Sequence, residues 1–220
     1  VLVLSASLPA YSQTQPSVGV TPGMRAQANT LFQASDWTNA AAAYQKIVDL
    51  EPKNPNANYR LGLSLLNLNK NTEAQKHLDI SFTNSPNPIF ALALARAYAR
   101  AHNKAKAFET IERSTTMGGI APESLIAEKD FAEWRDDAQF KELLRKSDIA
   151  VNPCKASPEF RQFDFWIGEW DVKNPQGVPS GSSSIQIILG QCIIFENWSG
   201  GGGSNGKSFN IYDTNDKKWH

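Results

Sequence analysis

Apolar residues follow a helical period from Thr21 to Thr116, and the pattern recurs about every 34 residues. Apolar positions spaced by three and four residues share one face of a helix, so each recurrence predicts a pair of amphipathic helices. The third pair ends at Gly118-Gly119. The matching positions are Ala28, Leu31, Ala40, Tyr44 and Pro52, then Gly62, Leu65, Ala74, Leu78 and Pro86, then Ala95, Tyr98, Ala107 and Ile111.

The repeat length and the order of small and large residues resemble the tetratricopeptide repeat. The resemblance implies three helix pairs over residues 21–119 that stack into a solenoid, because a single pair cannot bury its apolar face. Residues 120–150 keep a helical pattern but leave the repeat. We expect them to cap the last pair, which would otherwise expose its core face. A separate helical hairpin is the alternative for this segment.

The apolar period shortens toward two after residue 151, which is typical of strands. Turn residues divide this part into short segments, so we predict an antiparallel meander. The predicted fold class is α+β: an α-solenoid with a helical cap, followed by an incomplete antiparallel β-meander or barrel. The predicted strands are 163–172, 182–189, 192–198 and 207–212, with the start of a fifth at 217–220.

Three motifs stand in the last third of the chain. They are Phe163-Asp164-Phe165-Trp166-Ile167-Gly168-Glu169-Trp170, Gly190-Gln191-Cys192 and Phe195-Glu196-Asn197-Trp198. Together they resemble the opening of lipocalin-like and nitrobindin-like barrels, which contains a Gly-x-Trp triplet. The resemblance covers residues 154–220 and implies a truncated barrel domain over residues 151–220, because small barrels close with about eight strands. We therefore expect the chain to be a fragment. The resemblance implies a barrel interior formed by Phe163, Trp166, Trp170 and Trp198.

The first residues predict export. Residues 1–12 form a short apolar run with small residues before Gln13, which indicates the remnant of a secretory signal peptide. Residues 13–20 are polar and contain Pro and Gly, so we interpret them as a linker. A disordered N-terminal tail is the alternative. Similar domains follow tetratricopeptide repeats in bacterial exported proteins, so we expect a bacterial periplasmic or secreted protein.

The chain has two cysteines, Cys154 and Cys192. Disulfides persist in oxidising compartments, so export favours a bond between these two residues. Two buried free thiols are the alternative, because the sequence does not show whether the α-carbons come within bonding range.

Charge and hydropathy argue against two classes of partner. Lys plus Arg equals Asp plus Glu, with 22 of each, so no net field favours nucleic acid or an anionic membrane. No apolar stretch after the first residues reaches the ~20 residues that a membrane helix needs. We expect a protein or peptide partner, no nucleic-acid binding and no membrane insertion. The oligomeric state stays open.

No group of residues predicts catalysis or a resident cofactor. Residues 201–206 satisfy G-x-G-x-x-G by letter, but strands flank them where a dinucleotide site needs a strand and a helix. His77, His102 and His220 lack metal-ligand spacing, and no convincing Gly-x-Ser-x-Gly elbow occurs. Nitrobindin-like barrels bind haem through a His, yet nothing ties His220 to that position. We predict no enzyme, no metal and no cofactor; catalytic residues in a missing C-terminal half are the remaining alternative.

The tetratricopeptide resemblance implies that the first helix of each pair lines a concave groove. Guanidinium groups pair with carboxylates through two parallel bonds, so the groove arginines favour an extended peptide, an acidic segment or a C-terminal carboxylate. A solvated surface without a partner is the alternative. We expect removal of both Arg96 and Arg100 to weaken partner capture and to leave thermal stability nearly unchanged. The predicted groove residues are Arg25, Asn29, Gln33, Tyr59, Asn67, Arg96 and Arg100.

These features predict an exported protein-interaction scaffold that binds a peptide or partner protein in the groove of the repeats. The alternative places the function in the β-domain. That domain would hold an apolar small molecule or haem among its aromatic residues, with the repeats as an adaptor.

Overall fold

The structure, a computed structural model, describes residues 19–220. The signal-peptide prediction for residues 1–12 lies outside the described residues, as does most of the linker predicted at 13–20. Helices occupy the chain up to residue 151, and strands dominate from residue 168 onward. Among the described residues, no helix combines the length and the apolar composition needed to cross a membrane.

Six helices arranged in three consecutive pairs form the first part of the fold. Each helix packs against the helix before it and the helix after it, so the apolar faces merge into one continuous core. The predicted stack of tetratricopeptide-like helix pairs is confirmed. The helices are α1 (Pro22–Gln33), α2 (Trp37–Leu50), α3 (Pro55–Asn67), α4 (Asn71–Asn84), α5 (Pro88–Arg100) and α6 (Lys104–Thr115).

The three pairs begin and turn in the same way. The first helix of each pair starts with a proline, and the side chain before it accepts a backbone N–H bond from the first turn, which satisfies an otherwise free amide. The capping residues are Thr21, Asn54 and Asn87. Just beyond the same helices one residue adopts the left-handed conformation that closes a helix. These residues are Ser35, Asn69 and His102, with φ of 57°, 58° and 55°.

Close approach of α3 and α4 explains the glycine in the middle of α3. A Cβ atom on Gly62 would lie 2.5 Å from Cγ of Leu78 and 3.3 Å from the carbonyl oxygen of Ala74. Leu78 and Ala74 are fully buried, so neither has space to move away. A glycine in the middle of a helix costs about 1 kcal/mol relative to Ala. The tight packing of α3 against α4, which only a glycine permits at this position, offsets that cost.

Two further helices and a 3₁₀ segment cover the end of the third pair. They are α7 (Pro122–Ala127), the 3₁₀ segment Lys129–Trp134 and α8 (Ala138–Val151). Helix α8 packs against α6, and the 3₁₀ segment packs against α5. Phe131 and Phe140 are fully buried and join the core of the repeats. The segment is continuous with the solenoid and does not form a separate hairpin.

The last part of the chain is one curled antiparallel sheet in the shape of a half-barrel. Its strands follow in chain order, and each pairs with its sequence neighbour. The predicted antiparallel meander and the α+β class are confirmed. The strands are β1 (Gly168–Lys173), β2 (Pro179–Ile188), β3 (Ile193–Gly200), β4 (Asn205–Asp213) and β5 (Lys218–Trp219).

The strand predicted at 163–172 is wrong in its first half. Asp164–Trp166 form one 3₁₀ turn, and the strand starts only at Gly168. The aromatic residues of this stretch pack against the end of the sheet, where Phe163 contacts Trp219 with ring centroids 4.9 Å apart. Strands are enriched in aromatic residues. A run of aromatic residues that packs against a sheet therefore resembles a strand in composition, which explains the wrong prediction.

A disulfide bond joins the end of the helical part to the sheet. Cys154 follows α8, and Cys192 precedes β3. The turn between β2 and β3 lies against the same segment, since the amide of Cys154 donates a hydrogen bond of 3.4 Å to the carbonyl oxygen of Gly190. Arg161 also reaches this turn and donates a bond of 3.0 Å to Oε1 of Gln191.

A polar pair formed by Asn58 and His77 of the second repeat binds the connection from the first repeat. Asn58 is fully buried, and its amide group donates bonds of 2.9 Å to the carbonyl oxygens of Pro52 and Asn54. Nδ1 of His77 on α4 lies 2.9 Å from Oδ1 of the same side chain. The amide nitrogen of Asn58 donates to the two carbonyl groups, so its Oδ1 atom faces His77 as a hydrogen-bond acceptor. The imidazole of His77 must therefore carry a proton on Nδ1 to donate this bond.

We expect His77 to make the repeats less stable at acidic pH. Burial lowers the pKa of His77 below its usual value, against the opposing effect of Glu73. The unfolded chain therefore binds more protons than the fold as the pH drops below about 6.5, and this part of the stability is lost with falling pH. His77→Gln keeps a donor for Asn58 and should flatten the dependence of the urea midpoint between about pH 7.5 and 5.5.

His102→Asn is the matched control for this titration. His102 lies in the exposed turn after α5 with φ of 55°, a conformation that Asn tolerates. The control should keep the pH dependence of the parent. An unchanged slope in the His77→Gln variant would show that another group causes the acid sensitivity.

Candidate functional site

The predicted groove residues occupy the first helices of the three pairs. Spacings of three, four and seven or eight residues place the members from each helix on one face. This face of α1, α3 and α5 is called the groove from here on. Its members are Arg25, Asn29 and Gln33 on α1, Tyr59, Leu63 and Asn67 on α3, and Ile89, Leu92, Arg96 and Arg100 on α5.

A cleft of 250 Å³ opens where the first repeat meets the second. It brings together Arg25 and Asn29, which the sequence predicts, with polar groups of α3 that the prediction did not include. The side chains around it are Arg25, Asn29, Tyr44, Ile47, Asn56, Ala57 and Arg60. The cleft combines two guanidinium groups and two amides over an apolar floor, which is a composition suited to a small anionic group.

Arg60 is the cation of this cleft that has no carboxylate partner in the part of the chain that the structure describes. Its guanidinium carbon lies 4.9 Å from the ring centroid of Phe32, so a cation–π contact holds the side chain in place. None of the ion pairs within residues 19–220 includes Arg60. Burial raises the pKa of Tyr44, and the nearby Arg60 charge opposes that effect.

Arg25 differs from Arg60 because the chain already neutralises it. Its guanidinium donates bonds of 2.6 and 2.8 Å to the two oxygens of Glu51. These bonds, helped by one from Asn54, lower the pKa of Glu51. Asn29 is also engaged, since its Oδ1 accepts a bond of 2.6 Å from the hydroxyl of Tyr44.

The two arginines of α5 hold the cap. Arg96 lies 2.9 Å from a carboxylate oxygen of Glu128 and 3.0 Å from one of Asp130. Arg100 donates bonds of 2.8 Å to Asp130 and 2.6 Å to the carbonyl oxygen of Leu66. All of these partners belong to the chain itself: Glu128 and Asp130 lie in the cap, and Leu66 lies on α3 of the preceding repeat. These contacts lead us to expect that removal of both arginines also lowers thermal stability, because Arg96 and Arg100 link α5 to the cap and Arg100 links it to α3.

The remaining predicted groove residues are engaged to different degrees. Tyr59 packs on Phe90 with ring centroids 4.7 Å apart, and burial raises its pKa. The amide of Asn67 bonds its own helix at the carbonyl oxygen of Leu63. Gln33 is exposed at the end of α1. Ile89 is 65% exposed at the start of α5, so an apolar stripe continues the groove beyond the cleft.

The four residues predicted for the barrel interior fall into two groups. Trp170 of β1 and Trp198 of β3 both pair with Ser183 of β2, so they lie on the same face of the sheet. Phe163 and Trp166 precede the sheet. The indole N–H of Trp170 donates a hydrogen bond of 2.7 Å to the backbone carbonyl oxygen of Trp166. Among the described residues the sheet has five strands, so it forms a half-barrel and encloses no interior.

The turn between β4 and β5 gathers three side chains that the sequence did not connect. Ligand atoms of Asp213, Asp216 and His220 lie within 4.8 Å of one another. Hydrogen bonds account for the grouping: the backbone N–H of Asn215 donates to Asp213 and lowers its pKa, and His220 lies 2.9 Å from Asp216. Residues 201–204 of the glycine-rich run connect β3 to β4, and residues 205 and 206 begin β4.

Comparisons with known proteins agree with the helical part of this description. The family model "Tetratricopeptide repeat" matches residues 25–74 and 59–122, so this part of the chain is similar to tetratricopeptide repeats. A search of curated protein sequences finds no match. Among solved structures, the "TPR2B-domain:pHsp70-complex of yeast Sti1" is 20% identical, covers 57% of this chain and 93% of that chain, and has a TM-score of 0.41. That score is too low to support any statement on function.

Proposed function

We propose that the tetratricopeptide repeats bind an extended peptide of a partner protein in the groove. An acidic side chain or the C-terminal carboxylate of that peptide enters the cleft between the first and second repeats. The observation that carries this proposal is the Arg60 guanidinium, which lines the cleft and forms no ion pair within residues 19–220. The protein acts as a scaffold and makes or breaks no covalent bond.

The size and chemistry of the cleft define what it accepts. Pockets for drug-sized ligands measure about 300–1,000 Å³, so the 250 Å³ cleft suits a single side chain or chain terminus. A carboxylate pairs with a guanidinium through two parallel bonds. Asn56 lies exposed at the cleft edge and can donate to the same ligand. The apolar stripe at Ile89 can hold a neighbouring apolar side chain.

Two observations support parts of the wider prediction. Export to the periplasm or beyond is consistent with the bond between Cys154 and Cys192, because such bonds persist in oxidising compartments. A second candidate function, binding of a small molecule by the β-domain, is favoured by the position of Trp170 and Trp198 on one face of the sheet. A haem titration that produces a Soret band would identify haem as that small molecule.

Arg60→Met tests the groove assignment. The variant keeps an apolar side chain over Phe32 and removes the charge. Peptides selected from a displayed library on the parent protein should be acidic or end in a free carboxylate. Their affinity should fall about 10- to 100-fold in the variant, the range expected for a charge-assisted hydrogen bond. Fluorescence anisotropy with the selected synthetic peptides measures the change.

Arg113→Met is the matched control, because Arg113 of α6 also stacks on a phenylalanine outside the groove. Its guanidinium carbon lies 4.7 Å from the ring centroid of Phe82. The control should bind the peptides like the parent. Equal affinities for the Arg60→Met variant and the parent would overturn the proposal, and so would an equal loss in the control.

A further inference from the structure

The face of the sheet that carries both indoles also carries a carboxylate at its centre. Glu196 of β3 accepts a hydrogen bond of 2.6 Å from the hydroxyl of Ser183 on β2 and one of 2.9 Å from the hydroxyl of Ser208 on β4. Two neighbouring strands therefore hold the two oxygens in fixed positions. Within residues 19–220 no lysine, arginine or histidine forms an ion pair with Glu196.

The face of the sheet that carries Glu196 and both indoles is called the inner face, and the opposite face is called the outer face. Successive side chains of a strand point to opposite faces, and the cross-strand register joins the strands row by row. The inner face includes Trp170, Ser183, Ile185, Ile194, Glu196 and Trp198. Ile185 and Ile194 are almost fully buried, whereas Phe209 of the outer face is 55% exposed. The inner face is therefore the protected one.

Aromatic residues close one end of the inner face. Tyr212 of β4 pairs with Trp219 of β5, and the segment before the sheet packs against both residues. Phe160 lies 5.4 Å from Tyr212 and Phe163 lies 4.9 Å from Trp219, measured between ring centroids. These four rings form a floor at this end of the sheet, and Glu196 lies on the strands above it.

A second polar group lies between the floor and Glu196. Asn210 of β4 pairs with Ile194 and lies two residues from Ser208, on the same face of the strand. Its Nδ2 atom is buried and has no hydrogen-bond partner among the described residues. A buried donor without a partner has lost its hydrogen bond to water and destabilises the fold. A ligand atom that accepts a bond from Nδ2 would remove this destabilisation.

The two indoles form the opposite border of the inner face. Trp198 lies over two glycines, since a Cβ atom on Gly181 or Gly200 would come within 2.8 Å of its ring. These glycines leave room for the indole at the surface of the sheet. Trp170 is 44% exposed and stands across Ser183 from Trp198. Indole faces attract organic cations.

We propose that this inner face binds an organic amine. Its ammonium group pairs with Glu196, its apolar body lies against the indoles of Trp170 and Trp198, and an acceptor atom, where the amine has one, takes the free N–H of Asn210. The inference rests on the second candidate function and narrows its ligand to a cation. A carboxylate without a counter-ion disfavours ligands with acidic groups, such as the propionates of haem, because like charges repel.

Isothermal titration calorimetry of the full chain with phenethylamine, choline and spermidine tests this site. The neutral analogue 2-phenylethanol has the size of phenethylamine without its charge. We expect phenethylamine to bind at least about tenfold more tightly than 2-phenylethanol, because a hydrogen bond to a charged group contributes about 1.5–3 kcal/mol. Glu196→Gln should remove this difference, since the variant keeps the shape of the side chain and loses its charge.

Glu169→Gln provides a matched control on the outer face. Glu169 of β1 accepts a bond of 2.6 Å from the hydroxyl of Ser184, so it forms the same Glu–Ser pair on the opposite side of the same sheet. The control should keep the preference for the amine. If Glu196→Gln does not fold, Trp170→Leu serves instead: it should weaken phenethylamine binding more than 2-phenylethanol binding, because only the cation gains from the indole face.

The outcomes separate this inference from the proposals that precede it. Absence of binding by all three amines overturns it, and so does equal binding of phenethylamine and 2-phenylethanol. A preference for the amine that survives Glu196→Gln, or that disappears in Glu169→Gln, also overturns it. Binding of haem or of 2-phenylethanol without amine binding would support the second candidate function and reject the amine. Peptide binding in the groove is independent of each result.

Discussion

Replacing Phe131 by alanine is expected to lower the free energy of unfolding by about 3–5 kcal/mol. Phe131 is fully buried in the core shared by the repeats and the cap. Its ring lies 5.6 Å from that of Trp134 and 6.1 Å from that of Phe140. Removal of the ring leaves a cavity that the surrounding helices fill only in part.

Urea denaturation followed by far-ultraviolet circular dichroism measures this loss. Phe165→Ala is the control, because Phe165 is 75% exposed and a surface change of this kind shifts stability by about 0.5 kcal/mol at most. A loss in Phe131→Ala as small as that of the control would mean that the 3₁₀ segment is not part of the core. Asp130 would then also lose its role as the partner that links Arg96 and Arg100 to the cap.

Removal of the disulfide should release the sheet and leave the helical repeats folded. The bond closes a loop with a sequence separation of 38 residues, and the chain-entropy model assigns about 4 kcal/mol to a loop of this length. In the Cys154→Ser, Cys192→Ser double variant this stabilisation is lost. The effect falls on the sheet, because the buried core of the repeats contains neither cysteine.

Limited proteolysis with mass spectrometry distinguishes the two parts of the chain. The double variant should be cut rapidly after residue 152 and should retain a resistant helical fragment. Parent protein treated with reductant is the control and should give the same fragments. Equal resistance of the sheet with and without the bond would show that the contacts of Gly190 and Arg161 hold it in place by themselves.

The helical repeats could be predicted because the sequence features that specify them are local and recur in each repeat. The spacing of apolar residues, the Asn-Pro starts and the small residues at matching positions each act within one or two turns of chain. The strands at residues 182–189, 192–198 and 207–212 were also found from local alternation, and the ends in the structure differ from the predicted ends by one to three residues. The aromatic run from Phe163 was misassigned, because the contact of Phe163 with Trp219 comes from the far end of the sheet.

The candidate sites depended on contacts that no local pattern contains. Arg96 and Arg100 have the composition of a ligand-binding pair, yet Asp130 meets them from 34 and 30 residues away, respectively. Arg60 was missed because the repeat offsets selected its neighbour Tyr59, and only the packing of α3 beside α1 places it in the cleft. No local signal distinguishes Arg60, because Arg25 and Arg96 also have no acidic residue three or four positions away along the chain.

Secondary structure, repeat boundaries and the α+β class of this protein follow from its amino-acid pattern, since helix periodicity, capping and strand alternation are short-range effects. The tertiary structure alone decides which charges are neutralised and which remain available. Glu51 neutralises Arg25, Asp130 neutralises Arg100, and Arg60 and Glu196 meet no opposite charge among the described residues. The physical reason is that Coulomb and hydrogen-bond energies depend on distance in space, and folding alone brings residues far apart in the chain within that distance.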